Sequence, residues 1–225
     1  SYEGLCEYVG GKYISYTEEH PITMNPFRIK REELNVEKTG FLKNLIMLIW
    51  KGTQGTVTKT EERLIEQVIT EYYDVYFNGF NGFTPPQRED LRKGLLIDGR
   101  NKNVNNRETE DERMARIEAQ IDEIESRRKQ LPVKELSFNS FYEFSVQRIP
   151  DICQENQIQG IDISTYRYMM KDFYRGGNHD KTLNEYLDST LFDETFIVFE
   201  IDSIKDDPLL FPLVTLIIMD VFIQK

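Results

Sequence analysis

The stretch Thr195-Phe196-Ile197-Val198-Phe199-Glu200-Ile201-Asp202, followed by Asp206-Asp207-Pro208-Leu209-Leu210-Phe211 and the apolar run on to Ile223, decides how the chain is read. β-Branched and aromatic residues in a run this short, bounded by turn signals, predict a strand at 196–201 buried on both faces, as in the sheets of α/β proteins. A helix then opens with Asp206 or Asp207 as N-cap and Pro208 near its first position, where a missing N–H costs nothing. It carries Leu209, Leu210, Phe211, Leu213, Val214, Leu216, Ile217, Ile218, Met219, Val221, Phe222 and Ile223 around its whole circumference. Such a helix belongs inside a larger body, or in a membrane. The run is shorter than a bilayer requires and Asp220 interrupts it, so no transmembrane segment is expected. An uncapped apolar helix at Lys225 suggests a piece of a longer protein whose sheet continues beyond it, and its exposed side would be an association site.

Working outward, the other end has the same character. Ser1 to Tyr8 reads as the last turns of a helix, with Gly10 in the left-handed C-terminal conformation. Gly11 leads into Lys12-Tyr13-Ile14-Ser15-Tyr16, which alternates as a strand does, and the chain turns through His20-Pro21 to Met24-Asn25-Pro26-Phe27. Between these ends the pattern is helical. Phe41, Leu42, Leu45, Ile46, Ile49 and Trp50 share one side of a helix ending at Gly52 or Gly55. Thr58-Lys59-Thr60-Glu61 is a capping box, and Leu64, Ile65, Val68, Ile69, Tyr72, Tyr73, Tyr76 and Phe77 form a wide stripe behind it. Residues 81–106, with Pro85-Pro86, Gly94 and Gly99, read as loop with local disorder.

A charged helix is predicted over 107–131, its narrow seam formed by Met114, Ile117, Ile121 and Ile124, with supporting pairs Glu112–Arg116, Glu123–Arg127 and Glu125–Lys129. The seam packs either on its own domain, as the arm of a hairpin, or on a partner helix. Further helices are expected from Leu136 to Ile149, broken by Pro150, and from Ser164 to Tyr174, with Tyr166, Met169, Met170 and Phe173 inward and Gly176-Gly177 as the stop. The fold class that results is α+β, mostly α. A large all-helical insertion at 36–190, carrying the coiled-coil-like arm at 107–131, separates two short pieces of an incomplete α/β core at 1–35 and 191–225.

Composition bounds the function. With 28 basic against 39 acidic residues the formal charge is −11, which argues against strong nucleic-acid binding. Cys6 and Cys153 are far apart and suggest neither a disulfide framework nor a thiolate metal site. The phosphate-binding signature Gly-x-x-x-x-Gly-Lys-Ser/Thr does not occur, and Gly10-Gly11-Lys12 precedes a strand, as a turn does. Glu200 and Asp202, at the end of the strand, are the positions where a nucleotide-binding protein could hold a metal or water, but acidic turns after strands are common. Ser126-Arg127-Arg128-Lys129 and Lys38-Thr39-Gly40 match fragments of the penicillin-recognising signature in reverse order and wrong context, hence by chance. His20 and His179 are the only histidines, and His179 in Gly176-Gly177-Asn178-His179-Asp180 reads as a loop residue. No catalytic, cofactor-binding or metal-ligating residue is assigned.

Tyr2-Glu3-Gly4-Leu5-Cys6, Gly10-Gly11-Lys12-Tyr13-Ile14 and Met24-Asn25-Pro26-Phe27, taken in order, resemble the segment just after the second core strand of TraG-family conjugative-transfer ATPases, the motors of type IV secretion. Phe173-Tyr174-Arg175-Gly176-Gly177, Leu183-Asn184 and Phe196 to Glu200 with the apolar helix after it are similar to the stretch before that family's second nucleotide-binding strand. Residues 81–135 match least. The resemblance implies a RecA-like P-loop ATPase, with ATP and Mg as cofactors of the parent protein, and a hexamer working with secretion-system components at the cytoplasmic face of a bacterial inner membrane. It also implies that the phosphate loop and acidic metal-binding strand lie outside this chain. A stand-alone helical interaction module using the Met114 to Ile124 seam is the alternative. Under the motor reading the strands at Lys12 to Tyr16 and Phe196 to Ile201 lie near each other, and the last helix is either poorly covered or buried by a second copy.

Overall fold

The computed structural model describes residues 1–97, 108–186, 191 and 193–223. In chain order these form α1 (Tyr2–Tyr8), β1 (Lys12–Ser15), α2 (Val36–Lys51), α3 (Lys59–Asn78), α4 (Pro85–Ile97), α5 (Glu110–Lys129), α6 (Phe138–Glu155), α7 (Ile163–Met170), β2 (Ile197–Glu200) and α8 (Leu210–Ile223). The structure is α+β and mostly helical. Among the described residues the sheet consists of β1 and β2 alone. They pair in parallel, from Lys12 opposite Ile197 to Ser15 opposite Glu200. Parallel neighbours need a long crossover, and here the crossover is the whole helical part of the chain.

Gly11 permits this pairing. Its N–H bonds to the Cys6 carbonyl at 2.8 Å, while the next N–H, that of Lys12, takes the Phe196 carbonyl at 2.9 Å. A Cβ at position 11 would lie 2.7 Å from that Phe196 carbonyl oxygen and 3.0 Å from the Cys6 sulfur. The Phe196 ring could turn aside, but the paired carbonyl could not without opening the ladder. Gly11→Ala is therefore expected to cost about 1–3 kcal/mol, the usual range for overpacking, read as a lower urea midpoint at unchanged slope.

Helices α2, α3, α6 and α7 close a ring in which each touches the next, and α8 lies along α2. Their ends follow the polar signals in the sequence. Asn35 caps α2, Thr58 and Glu61 cap α3 reciprocally, Ser137 caps α6 and Asp162 caps α7. Phe27, from the loop after β1, sits at the centre of the bundle with no exposed surface. It stacks on Phe141 at 5.0 Å and meets the edges of Tyr72 and Phe138 at 6.2 and 6.1 Å. The Tyr73 hydroxyl donates to the Phe27 carbonyl at 2.8 Å, satisfying a buried acceptor. Ile22, Met24 and Ile29 enter the same apolar cluster, which runs on to Leu213, Val214, Ile217 and Val221 of α8.

Several expectations are corrected. Residues 85–97 are helical, where a loop was expected at 81–106; residues 98–107 lie outside the described residues. Thr84 and Gln87 form the start of α4: the Gln87 side-chain oxygen accepts the Thr84 N–H at 2.9 Å, and Pro85 takes the first helical position. The seam of α5 is occupied by α4, with Ile117 and Ile121 buried against Leu95 and flanked by Phe83, Leu91 and Leu96. Thus the arm is one half of an intramolecular hairpin, and the partner-helix alternative loses its surface. Glu123–Arg127 and Glu125–Lys129 pair at 2.6 and 3.0 Å. Glu112 instead caps its own helix through Thr109, and Arg116 turns to Glu108 at 2.9 Å.

Pro150 does not end α6, which continues to Glu155. Burial of Ile149 and Ile152 on either side of it, and the clasp of Arg148 on Glu155 at 2.6 Å across it, offset the roughly 3 kcal/mol a proline costs inside a helix. Helix α7 stops at Met170, earlier than expected, while Phe173 still reaches the core from the turn that follows. Strand β2 is half-buried along its length and not enclosed on both faces. Helix α8 is likewise one-sided: Leu213, Val214, Ile217 and Val221 face the core, whereas Phe211, Met219, Phe222 and Ile223 are exposed. No described helix is long and apolar enough to cross a membrane.

Candidate functional site

At the carboxyl ends of β1 and β2 the chain forms a cleft of about 660 Å³. Open parallel sheets bind ligands at this edge, because the loops there are free to shape a crevice around the strand ends. Tyr16, Glu18 and Pro21 come from the turn after β1, Ser203 and Ile204 from the turn after β2, and Asp207 and Leu210 from the start of α8. The remaining wall is Asn178, His179, Asp180, Lys181 and Thr182, from the glycine-rich turn after α7.

Each wall is tied down by its own hydrogen bonds. The Tyr16 N–H donates to the Glu200 carbonyl at 2.8 Å, and the Ser203 hydroxyl donates to the Tyr16 carbonyl at 2.9 Å. One carboxylate oxygen of Asp207 accepts the N–H groups of Leu209 and Leu210 at 2.9 and 2.7 Å, which opens α8. In the glycine turn, His179 N–H reaches the Asp172 carbonyl at 2.8 Å and Gly176 N–H reaches an Asp180 carboxylate oxygen at 3.1 Å. Gly177 fits there because a Cβ would stand 2.3 Å from the Lys171 carbonyl. The Thr182 carbonyl accepts the Met24 N–H at 2.9 Å, joining this wall to the loop after β1. Burial, reinforced by the carboxylates of Asp207 and Glu18, raises the pKa of the Tyr16 phenol, which stays protonated as a hydroxyl at neutral pH.

The residues weighed from sequence fall differently. Glu200 accepts the Ser15 hydroxyl at 2.9 Å through one oxygen and the Asp202 N–H at 2.7 Å through the other, while Asp202 pairs with Lys205 at 3.1 Å. Both carboxylates close the turn after β2. His179 lies in the cleft wall with its ring 5.6 Å from that of Phe173, and His20 sits in the exposed turn after β1, its N–H on the Thr17 hydroxyl at 2.9 Å. Lys38 is buried against Asp220 at 2.6 Å, and Arg128 reaches Glu71 at 3.5 Å; neither chance motif meets a partner motif. Cys6 and Cys153 are free thiols, and burial raises the pKa of the second. Among the described residues, no three His, Cys, Asp or Glu side chains are grouped to hold a metal ion.

Sequence reasoning did not find Tyr16, Ser203, Lys181 or Thr182 as members of one site. The usable signal was their place just past the two strands. Chemically the cleft is a mixed-charge crevice whose serine hydroxyl is engaged by a main-chain carbonyl, not by a base.

The TraG P-loop domain model matches residues 1–85 and 76–225, which together span the chain. The chain belongs to the TraG P-loop domain family. No curated protein and no solved structure matches it. Membership ties the chain to conjugative transfer and to the P-loop NTPases. The phosphate-loop signature itself is not written in these 225 residues.

Proposed function

We propose that this chain belongs to a motor ATPase that drives conjugative transfer through a type IV secretion system, and that its helical bundle serves subunit or substrate contacts. The observation that carries the reading is the family match across the whole chain. The parallel pair supports it, as a fragment of a RecA-like core from which the helices from α2 to α7 branch as an insertion. On this reading the helices do not grip the nucleotide; ATP and Mg are held by groups other than those of this chain. The exposed side of α8 serves contacts within an assembly of several copies, and the motor works with secretion components at the cytoplasmic face of the inner membrane.

Two measurements test this. Disrupting the gene in a donor cell should reduce mating transfer to background, and undiminished transfer would remove the proposal. In calorimetry, this chain should show no binding of Mg-ATP at micromolar affinity, because it lacks the backbone cradle and lysine that hold the β- and γ-phosphates. A micromolar isotherm would mean that the cleft beside Tyr16 and His179 holds nucleotide unaided.

A further inference from the structure

The α4–α5 hairpin has an apolar interior of its own. Leu95, Ile117 and Ile121, with Phe83, Leu91 and Leu96 around them, form a cluster separate from the main core. Arginines bind its two helices together: Arg88 reaches Glu118 at 3.2 Å and Asp122 at 2.6 Å. What joins the hairpin to the bundle is of another kind. Arg128 lies with its guanidinium carbon 4.3 Å from the ring centre of Phe80, which packs on the main core, and 5.3 Å from that of Phe83, which packs on the hairpin's core. It also faces Glu71 of α3 at 3.5 Å. Beside it, Arg127 pairs with Asp151 of α6 at 3.0 Å, and the Gln157 side chain donates to the Gly94 carbonyl at 3.0 Å.

The two connections to the bundle are short. One runs from Gly79 to Thr84 and contains two glycines at positive φ, Gly79 at 72° and Gly82 at 123°. The other runs from Gln130 to Ser137 through Pro132. An element with a complete core, two defined linkers and a joint made mainly of charge and cation–π contacts can leave its seat without melting. The Phe80–Phe83 ring contact at 5.3 Å, and Leu131, buried in the main core just past α5, are the apolar contacts at the joint.

We propose that the α4–α5 hairpin is a hinged arm held against the bundle by an ionic latch, with Arg127 and Arg128 as its bolts and Asp151 and Glu71 as their seats. The arm swings as one body about 79–84 and 130–137, and competition for these charges opens it.

The test uses the full chain with Cys6 and Cys153 replaced by serine and spin labels at Ala119→Cys on α5 and Thr70→Cys on α3. A single distance is expected for the latched chain. Arg127→Gln with Arg128→Gln should add a longer-distance population while helix content stays the same. The unmodified chain should respond to salt through its more exposed pair, Arg127–Asp151, since the buried Arg128–Glu71 pair is screened less: near 1 M, amides of α4 and α5 should exchange faster while those of α3 and α6 keep their rates. An unchanged distance in the double variant overturns the latch, as does loss of hairpin helicity along with the displacement. If the variant does not fold, the salt experiment decides: arm amides that exchange separately from the bundle and faster as salt rises uphold it, and exchange together, or separate exchange indifferent to salt, overturns it.

Discussion

Replacing Arg148 by alanine should cost about 3–5 kcal/mol of folding free energy, the range for breaking a buried ion pair from one side. Arg148 is 1% exposed and lies on α6 between two carboxylates. It donates to Glu71 of α3 at 2.5 Å and to Glu155 of its own helix at 2.6 and 2.9 Å. Removing it takes the cation from the buried Glu155 and leaves Glu71 only the more distant Arg128 at 3.5 Å, and the loss should appear as a urea midpoint lowered at constant slope. Arg148→Met combined with Glu155→Gln, which leaves Glu71 to Arg128 at 3.5 Å, should recover much of the loss, since only the carboxylate that Arg148 alone satisfies needs neutralising. Equal instability of the single and double variants would show that packing of the arginine stem, and not its charge, holds α3 to α6.

The same centre sets an acid limit. Burial opposes ionisation of Glu71, but hydrogen bonding to Arg148 and the charges of Arg148 and Arg128 outweigh it and hold the pKa below its ordinary value of 4.5. A carboxyl whose folded pKa is depressed contributes stability that is fully present above the unfolded value and disappears as pH falls through the folded one. Stability should therefore decline below about pH 4.5, and the decline should be shallower in Glu71→Gln. Parallel urea titrations of the two chains at stepped pH would measure the difference.

What could be read from the chain alone was local. The caps at Thr58, Ser137 and Asp207, the paired apolar positions of α3 and the β-branched run before Glu200 are signals confined to a few residues, and each stands where expected. Pro85-Pro86 misled, because two prolines suggest a break although the first turn of a helix tolerates them and the two hydrogen bonds from Thr84 to the Gln87 side-chain oxygen mark a start. Pro150 misled in the opposite setting: its cost is local, whereas the burial of its neighbours that outweighs it is tertiary. The cleft was beyond reach because its walls come from 16–21, 178–182 and 203–210, which only the β1–β2 pairing brings together. Arg148 was equally hidden, since nothing in Val146-Gln147-Arg148-Ile149 announces that Glu71 will lie against it.

Asp220 looked like an interruption in an apolar helix, and its true setting leads to the second large expected effect. Its carboxylate meets the ammonium of Lys38 at 2.6 Å, with only 6% and 8% of the two side chains exposed. Lys38 also lies 5.1 Å from the ring centre of Phe41. The pair fastens α8 to the first turn of α2, so the helix that follows β2 is keyed in one register to the bundle. Asp220→Ala strands a buried ammonium and should cost about 3–5 kcal/mol, whereas Lys38→Met with Asp220→Leu, which removes both charges, should come within about 1 kcal/mol of the parent or exceed it. A double-mutant cycle in urea separates the coupling from the cost of each truncation. Should the apolar pair prove as stable as the ion pair, the charges serve to choose a register: every apolar residue of α8 could slide along α2, but a buried aspartate can rest only where Lys38 meets it.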